Sequence, residues 1–108
     1  LRIEIFVVAT KIKGLRTTET IEKAVSSILS CKEDLVKLFG GLTEIPYFNG
    51  YFMKRGNIEY DTGEIWLIYT DNPELVEDNR FKSILLEIKG TTKQMMQCYA
   101  VNNDLRKI

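Results

Sequence analysis

Apolar side chains recur first at every second position, then with a helical repeat, then twice more at every second position, then helically again, and finally at every second position. That order of periodicities constrains the fold more than any other feature. From Arg2 to Thr10, Ile3, Ile5 and Val7 fall on one face and Glu4, Phe6 and Val8 on the other. Both faces are largely apolar, as in a central strand covered on both sides. Lys11–Arg16, with Gly14, reads as the exit loop. Thr17, Thr18 and Thr20 offer N-caps, and Glu19 and Glu22 complement a helix dipole. Ile21, Ala24, Val25, Ile28, Leu29, Leu35, Val36 and Phe39 then follow at helical spacing until Gly40-Gly41 stops them. Ser30-Cys31-Lys32-Glu33 fits a capping box inside this helix and predicts a break or kink there.

Leu42 to Met53 is rich in aromatic and branched residues and reads as a strand, with Pro46 at an edge position or a bulge. Lys54-Arg55-Gly56-Asn57 is a hairpin turn, and Ile58 to Thr70 is the partner strand, with Gly63 marking a bulge. Asp71-Asn72-Pro73-Glu74 opens a second helix. Glu77-Asp78-Asn79 interrupts its pattern, which leaves its start at Pro73 or beyond. Phe81, Ile84, Leu85 and Ile88 form its buried stripe, and Gly90 ends it. Thr91 to Val101 gives a last strand, and Asn102–Ile108 a short tail.

The order β-α-β-β-α-β in 108 residues, 44% of them hydrophobic, predicts one α+β domain spanning 1–108. The compact solution is ferredoxin-like: a four-stranded antiparallel sheet with two helices on one face. Such a sheet leaves its second face open. Here that face is apolar, since Phe6/Val8 oppose Ile3/Ile5/Val7 and Ile65/Leu67/Tyr69 oppose Trp66/Ile68. A bare patch of that kind exceeds what monomers normally expose, so a homodimer through the open sheet face is expected. A cleft between the paired sheets has room for a small apolar ligand.

The chemistry is bounded mainly by what is missing. Fifteen basic residues balance fifteen acidic ones, so the excess of positive charge that marks a nucleic-acid binder is absent. With no histidine, Ser-His and Cys-His catalysis and most zinc or iron sites are excluded, and no cofactor or metal is expected. Cys31 and Cys98 are not in a C-x-x-C pair and read as free packing thiols of a cytoplasmic protein. No apolar run reaches the roughly 20 residues of a membrane span. Arg2 and Glu4 inside the first apolar stretch mark a strand, not a signal peptide. Asp61-Thr62-Gly63 matches the tripeptide of aspartic proteases, but the surrounding pattern reads as a turn or bulge. Glu44, Glu59, Asp61 and Glu64 bring carboxylates towards the central hairpin, where a pair would serve acid/base work or magnesium binding; ordinary solvation is the competing reading.

Ile5–Thr10 and Gly63–Tyr69 resemble the first- and third-strand signatures of the RNA-recognition motif. Glu64 stands where that family stacks an aromatic on a base, and Thr62 replaces its basic residue. Phe39-Gly40-Gly41-Leu42-Thr43, Gly50-Tyr51-Phe52, Gly56 and Glu64–Thr70 resemble another family. It comprises small bacterial ferredoxin-like proteins of unknown function with an F-G-G-x-T … G-x-W … G pattern, Phe52 standing at the tryptophan position. Gln94 or Gln97 matches a glutamine of their final strand, and the resemblance implies the fold alone. The leading reading is a non-catalytic dimeric binding or interaction module whose working surface is lined by Tyr47, Tyr51, Trp66, Tyr69, Glu44 and Glu64. The alternatives are a cofactor-independent enzyme of the dimeric α/β-barrel type using a cleft carboxylate such as Glu44 or Glu64, and an RNA-recognition-like module.

Overall fold

The computed structural model describes residues 1–10, 15 and 17–108. The exit-loop reading of Lys11–Arg16 therefore falls, Leu15 apart, outside the described residues. Strand β1 (Arg2–Val8) is central, pairing antiparallel with β3 (Asn57–Tyr69) on one side and β4 (Cys98–Val101) on the other. β2 (Thr43–Lys54) and β5 (Asp104–Lys107) complete an antiparallel sheet of five strands in the order β2-β3-β1-β4-β5. Helices α1 (Thr18–Phe39) and α2 (Asn79–Thr92) cover one face. The α+β class and the element order stand, and the four-stranded expectation is corrected to five.

The two faces divide as the alternation requires. Ile3, Ile5 and Val7 of β1 and Trp66 and Ile68 of β3 are buried under the helices, against Cys31 and Leu35 of α1 and Phe81, Leu85 and Ile88 of α2. Phe81 anchors this core, meeting Phe39 and Tyr99 edge-on at 5.3 and 5.8 Å. Between the helices, the Ser27 hydroxyl donates to Glu87 at 2.9 Å and lies 2.8 Å from the Thr91 hydroxyl.

Helix α1 begins at Thr17, whose Oγ1 accepts from Thr20 N at 3.2 Å. It ends at Gly40, left-handed at φ 91°, whose N–H donates to Val36 O. No break occurs at Ser30–Glu33: burial of Cys31 and Leu35 on one face keeps the helical ladder running through the capping box. The expected second helix is two elements. A 3₁₀ turn over Pro73–Glu77 ends at Asp78, which then caps α2. Gly90 does not end α2; the helix runs to Thr92, whose buried hydroxyl donates back to Ile88 O at 2.7 Å. The last strand is accordingly only Cys98–Val101, and the expected tail turns back as β5. Asn102 and Asn103, at φ 49° and 67°, make that turn.

Asp78 Oδ1 accepts from Arg80 N at 2.8 Å, and the carboxylate also grips the Arg80 guanidinium at 2.8 and 3.0 Å. The Arg80 side-chain hydrogen bonds, then the Arg80 backbone N–H, push this carboxyl down from 3.8 to about 2. A lowered folded-state value stabilises fully above the unfolded value and is lost as pH falls through about 2. Replacing Asp78 by Ala should therefore lower the melting temperature at pH 7, with the deficit shrinking towards pH 2; a deficit independent of pH argues against the ion pair.

Both cysteines are free; Cys31 is buried and Cys98 half-buried. Burial, followed by the nearby charges of Glu87 and Asp34, pushes the Cys31 thiol up to about 11. Alkylation at pH 8 should modify Cys98 well before Cys31, as peptide mass mapping over time can show. Among the described residues, no helix is long and apolar enough to cross a membrane.

Candidate functional site

Proline cannot donate to a strand ladder, and at Pro46 the ladder slips. Ile45 pairs with Ile65 and Phe48 with Gly63, so Pro46 and Tyr47 together stand opposite Glu64. The expected bulge is thus real. It lies on β2, not at Gly63, and Asp61-Thr62-Gly63 is neither turn nor bulge but continuous strand. Bulges re-aim side chains. Here the bulge brings Tyr47 beside Glu64 at the rim of a depression of about 250 Å³. Ile28 of α1, the end of β1 from Val7 to Ala9, and Thr62 and Gly63 complete it. Among its described lining residues Glu64 is the one carboxylate and Tyr47 the one phenol.

Glu64 points to the helix side of the sheet, where the next residue on that face is Trp66. The indole Nε1–H of Trp66 donates to Glu64 Oε1 at 2.6 Å. Lys32 of α1 reaches the same cluster: its Nζ lies 2.5 Å from Glu44 Oε1, 3.9 Å from Glu64 Oε1 and 5.6 Å from the Trp66 ring centroid. One ammonium is therefore shared unequally between two carboxylates, over an aromatic face that also attracts it. The side chains of Lys32 and Glu64 are about three-quarters covered, which screens the group less than a surface pair.

Of the residues singled out from the sequence, Tyr47, Glu44 and Glu64 come together. Trp66 does not line a surface: it is wholly buried, and the correction follows from the β3 register, which turns it under the helices opposite Ile5. It packs in the core while its indole N–H donates to Glu64. Tyr51 sits further out on the β2–β3 hairpin, 6.2 Å from Tyr60, and Tyr69 is exposed at the opposite end of β3. Asp61 lies on the other face, with Gly63, and Glu59 is exposed near the hairpin tip. No group of three or more potential ligands capable of holding a metal occurs among the described residues. Lys32 was not legible as a site residue. Its signal was its place on the flank of the α1 buried stripe, one turn beyond Ile28.

The open face carries a second cavity of about 480 Å³, lined by Phe6, Val8, Phe48, Phe52, Met96 and Leu105 with Asp61 and Gln94 at its margin. Phe6 and Phe48 pack edge-on at 5.7 Å, so the middle of this face is half covered by its own side chains. The barest apolar surface lies elsewhere. On the projecting hairpin, Tyr51, Met53, Ile58 and Tyr60 are exposed on the helix side, and Ile21, Val25 and Leu29 form an exposed stripe along α1.

No protein-family model and no curated protein matches this chain. Solved structures do. A phage SAM lyase in its apo state aligns over 99% of this chain and 86% of its own, with a TM-score of 0.58 and 16% identity. The phage SAM lyase in complex with S-methyl-5′-thioadenosine aligns over 99% and 85%, with a TM-score of 0.53 and 14% identity. The periplasmic divalent cation tolerance protein CutA from Archaeoglobus fulgidus aligns over 100% and 82%, at 18% identity and a TM-score of only 0.43. At these identities the likeness to the lyase structures is one of fold.

Proposed function

We propose that this chain has a ferredoxin-like fold with a fifth strand added beside β4, and that it is a small cofactor-independent enzyme acting on an adenosyl sulfonium. The observation that carries the reading is the depression in which the β2 bulge sets Tyr47 against the carboxylate of Glu64, itself held by Trp66. The fold shared along 99% of the chain with a phage SAM lyase supports that choice of substrate class. The chemistry is compatible. SAM (S-adenosylmethionine) is a sulfonium cation. As the bond from sulfur to the amino-acid chain breaks, its electron pair stays on sulfur to give a neutral thioether, and the freed carbon bonds to an oxygen of the substrate's own carboxylate, closing a lactone with no co-reactant. S-methyl-5′-thioadenosine is such a thioether. Because the sulfonium loses its charge in the step, the part left to the protein is to hold the cation in the reactive pose, with Glu64 facing the positive charge and Tyr47 as an aromatic platform for the base, and no histidine is required.

A depression of about 250 Å³ is smaller than the roughly 300–1,000 Å³ of usual ligand sites. Self-association that adds a wall would close it, and the exposed apolar residues of the hairpin and of the α1 stripe, on the same side of the sheet as Glu64, support association through them. Light scattering across a dilution series should return more than one chain per particle; a monomer at every concentration removes this part of the proposal.

The decisive experiment is incubation with S-adenosylmethionine, following S-methyl-5′-thioadenosine by chromatography. Turnover is expected, falling by roughly 10²-fold in Glu64→Gln as the cation loses its positioning. Tyr47→Ala should weaken binding by roughly tenfold or more, in line with the loss of one base–aromatic stack. Binding of the thioether without turnover would return the chain to a non-catalytic binding module. Absence of binding to either compound sinks the reading.

A further inference from the structure

We infer that Glu44 is a specificity-determining residue: by holding Lys32 it leaves Glu64 with unspent negative charge, so that the depression prefers a cationic ligand to its neutral counterpart. The inference rests on the reading of Glu64 as the working carboxylate and adds how its charge is kept available. Lys32 could neutralise either carboxylate, since its Nζ is within reach of both. The geometry assigns it to Glu44, at 2.5 Å against 3.9 Å from Glu64. The Trp66 N–H occupies Glu64 Oε1 on the same side and carries no charge to cancel it. Among the described residues no hydrogen bond ends on the other oxygen of Glu64, and that carboxylate lines the depression. Among the described residues, one ammonium set against two carboxylates leaves the cluster one negative charge in surplus, on the residue that faces the ligand.

Trp66 is the only tryptophan, so its emission reports what surrounds the indole N–H. In ligand-free protein, Glu44→Gln should let Lys32 close on Glu64 and change that emission. The change should be absent when Glu44→Gln is made on a Lys32→Met background. An equal change on both backgrounds overturns the inference, whatever the protein binds. With ligand, the ratio of affinities for S-adenosylmethionine over its neutral thioether S-adenosylhomocysteine should fall roughly tenfold in Glu44→Gln. In Lys32→Met the same ratio should rise. Displacements in opposite senses are not what a merely structural role produces, and a ratio unmoved by Glu44→Gln overturns the inference. If neither nucleoside binds the unaltered protein, the sulfonium reading fails, while the ligand-free cycle still decides whether Glu44 holds Lys32 from Glu64.

Discussion

Adding a single methyl at Gly63 should destabilise this protein more than any other one-carbon change in the sheet. An ideal Cβ built there lies 1.9 Å from Val7 O, 2.8 Å from Val7 C and 2.9 Å from Val8 Cα. All three atoms are backbone, so no rotamer change relieves the contact. The end of β1 would have to part from β3, at the expense of the Ala9 N to Thr62 O bond at 2.7 Å and the Thr62 N to Thr10 Oγ1 bond at 3.0 Å. Overpacking costs about 1–3 kcal/mol, and each lost hydrogen bond about 1 kcal/mol more. Gly63→Ala should thus cost about 3 kcal/mol or more, seen as a shift in the urea midpoint with little change in slope. Gly50 is the control: a Cβ there meets only Phe48, at 3.8 Å, so Gly50→Ala should be neutral or slightly stabilising. Equal effects at the two glycines would mean that the pinch between β1 and β3 is not real.

That close approach shows what the sequence can and cannot say. A glycine inside a strand signals a bulge or a near backbone, and the alternation around Gly63 does not tell which. Here the bulge belongs to Pro46 on the partner strand, and Gly63 serves the near backbone. Strands β1 to β3 and the two α-helices were legible because their periodicities are long. Strand β5 was not, because Asp104-Leu105-Arg106-Lys107 carries one apolar residue and its pairing with β4 is set by the Asn102-Asn103 turn. Those adjacent asparagines were the available signal. Thr91 and Thr92 misled in the other direction: β-branched residues read as strand, yet Thr92 bonds back into α2 and stays buried. For the site, Tyr47, Glu44 and Glu64 could be named from their residue types alone. The inward turn of Trp66 could not, since a strand apolar on both faces does not declare which face the helices cover.

Trp66 separates packing from positioning, and its substitutions carry the other large effect. It is among the largest fully buried side chains, opposite Ile5 and within the cluster that joins both helices to the sheet. Trp66→Ala should cost about 3–5 kcal/mol, because the surrounding core cannot collapse around so large a void. Trp66→Phe keeps most of the ring and its contacts but removes the N–H that holds Glu64 Oε1 at 2.6 Å. Its stability loss should be far smaller, since Glu64 is partly exposed and water can replace the donor. Its effect on the site should not be smaller. Without the indole N–H, the Glu64 carboxylate is free to turn towards Lys32, the arrangement that Glu44→Gln is expected to produce by another route. Turnover of S-adenosylmethionine in Trp66→Phe should therefore fall at least tenfold, a loss of about 1.4 kcal/mol in transition-state stabilisation. The near-ultraviolet circular dichroism of the remaining aromatics should stay native. A variant that loses stability and activity in proportion would make Trp66 a packing residue only, and Glu64 would then owe its orientation to the β2 bulge alone.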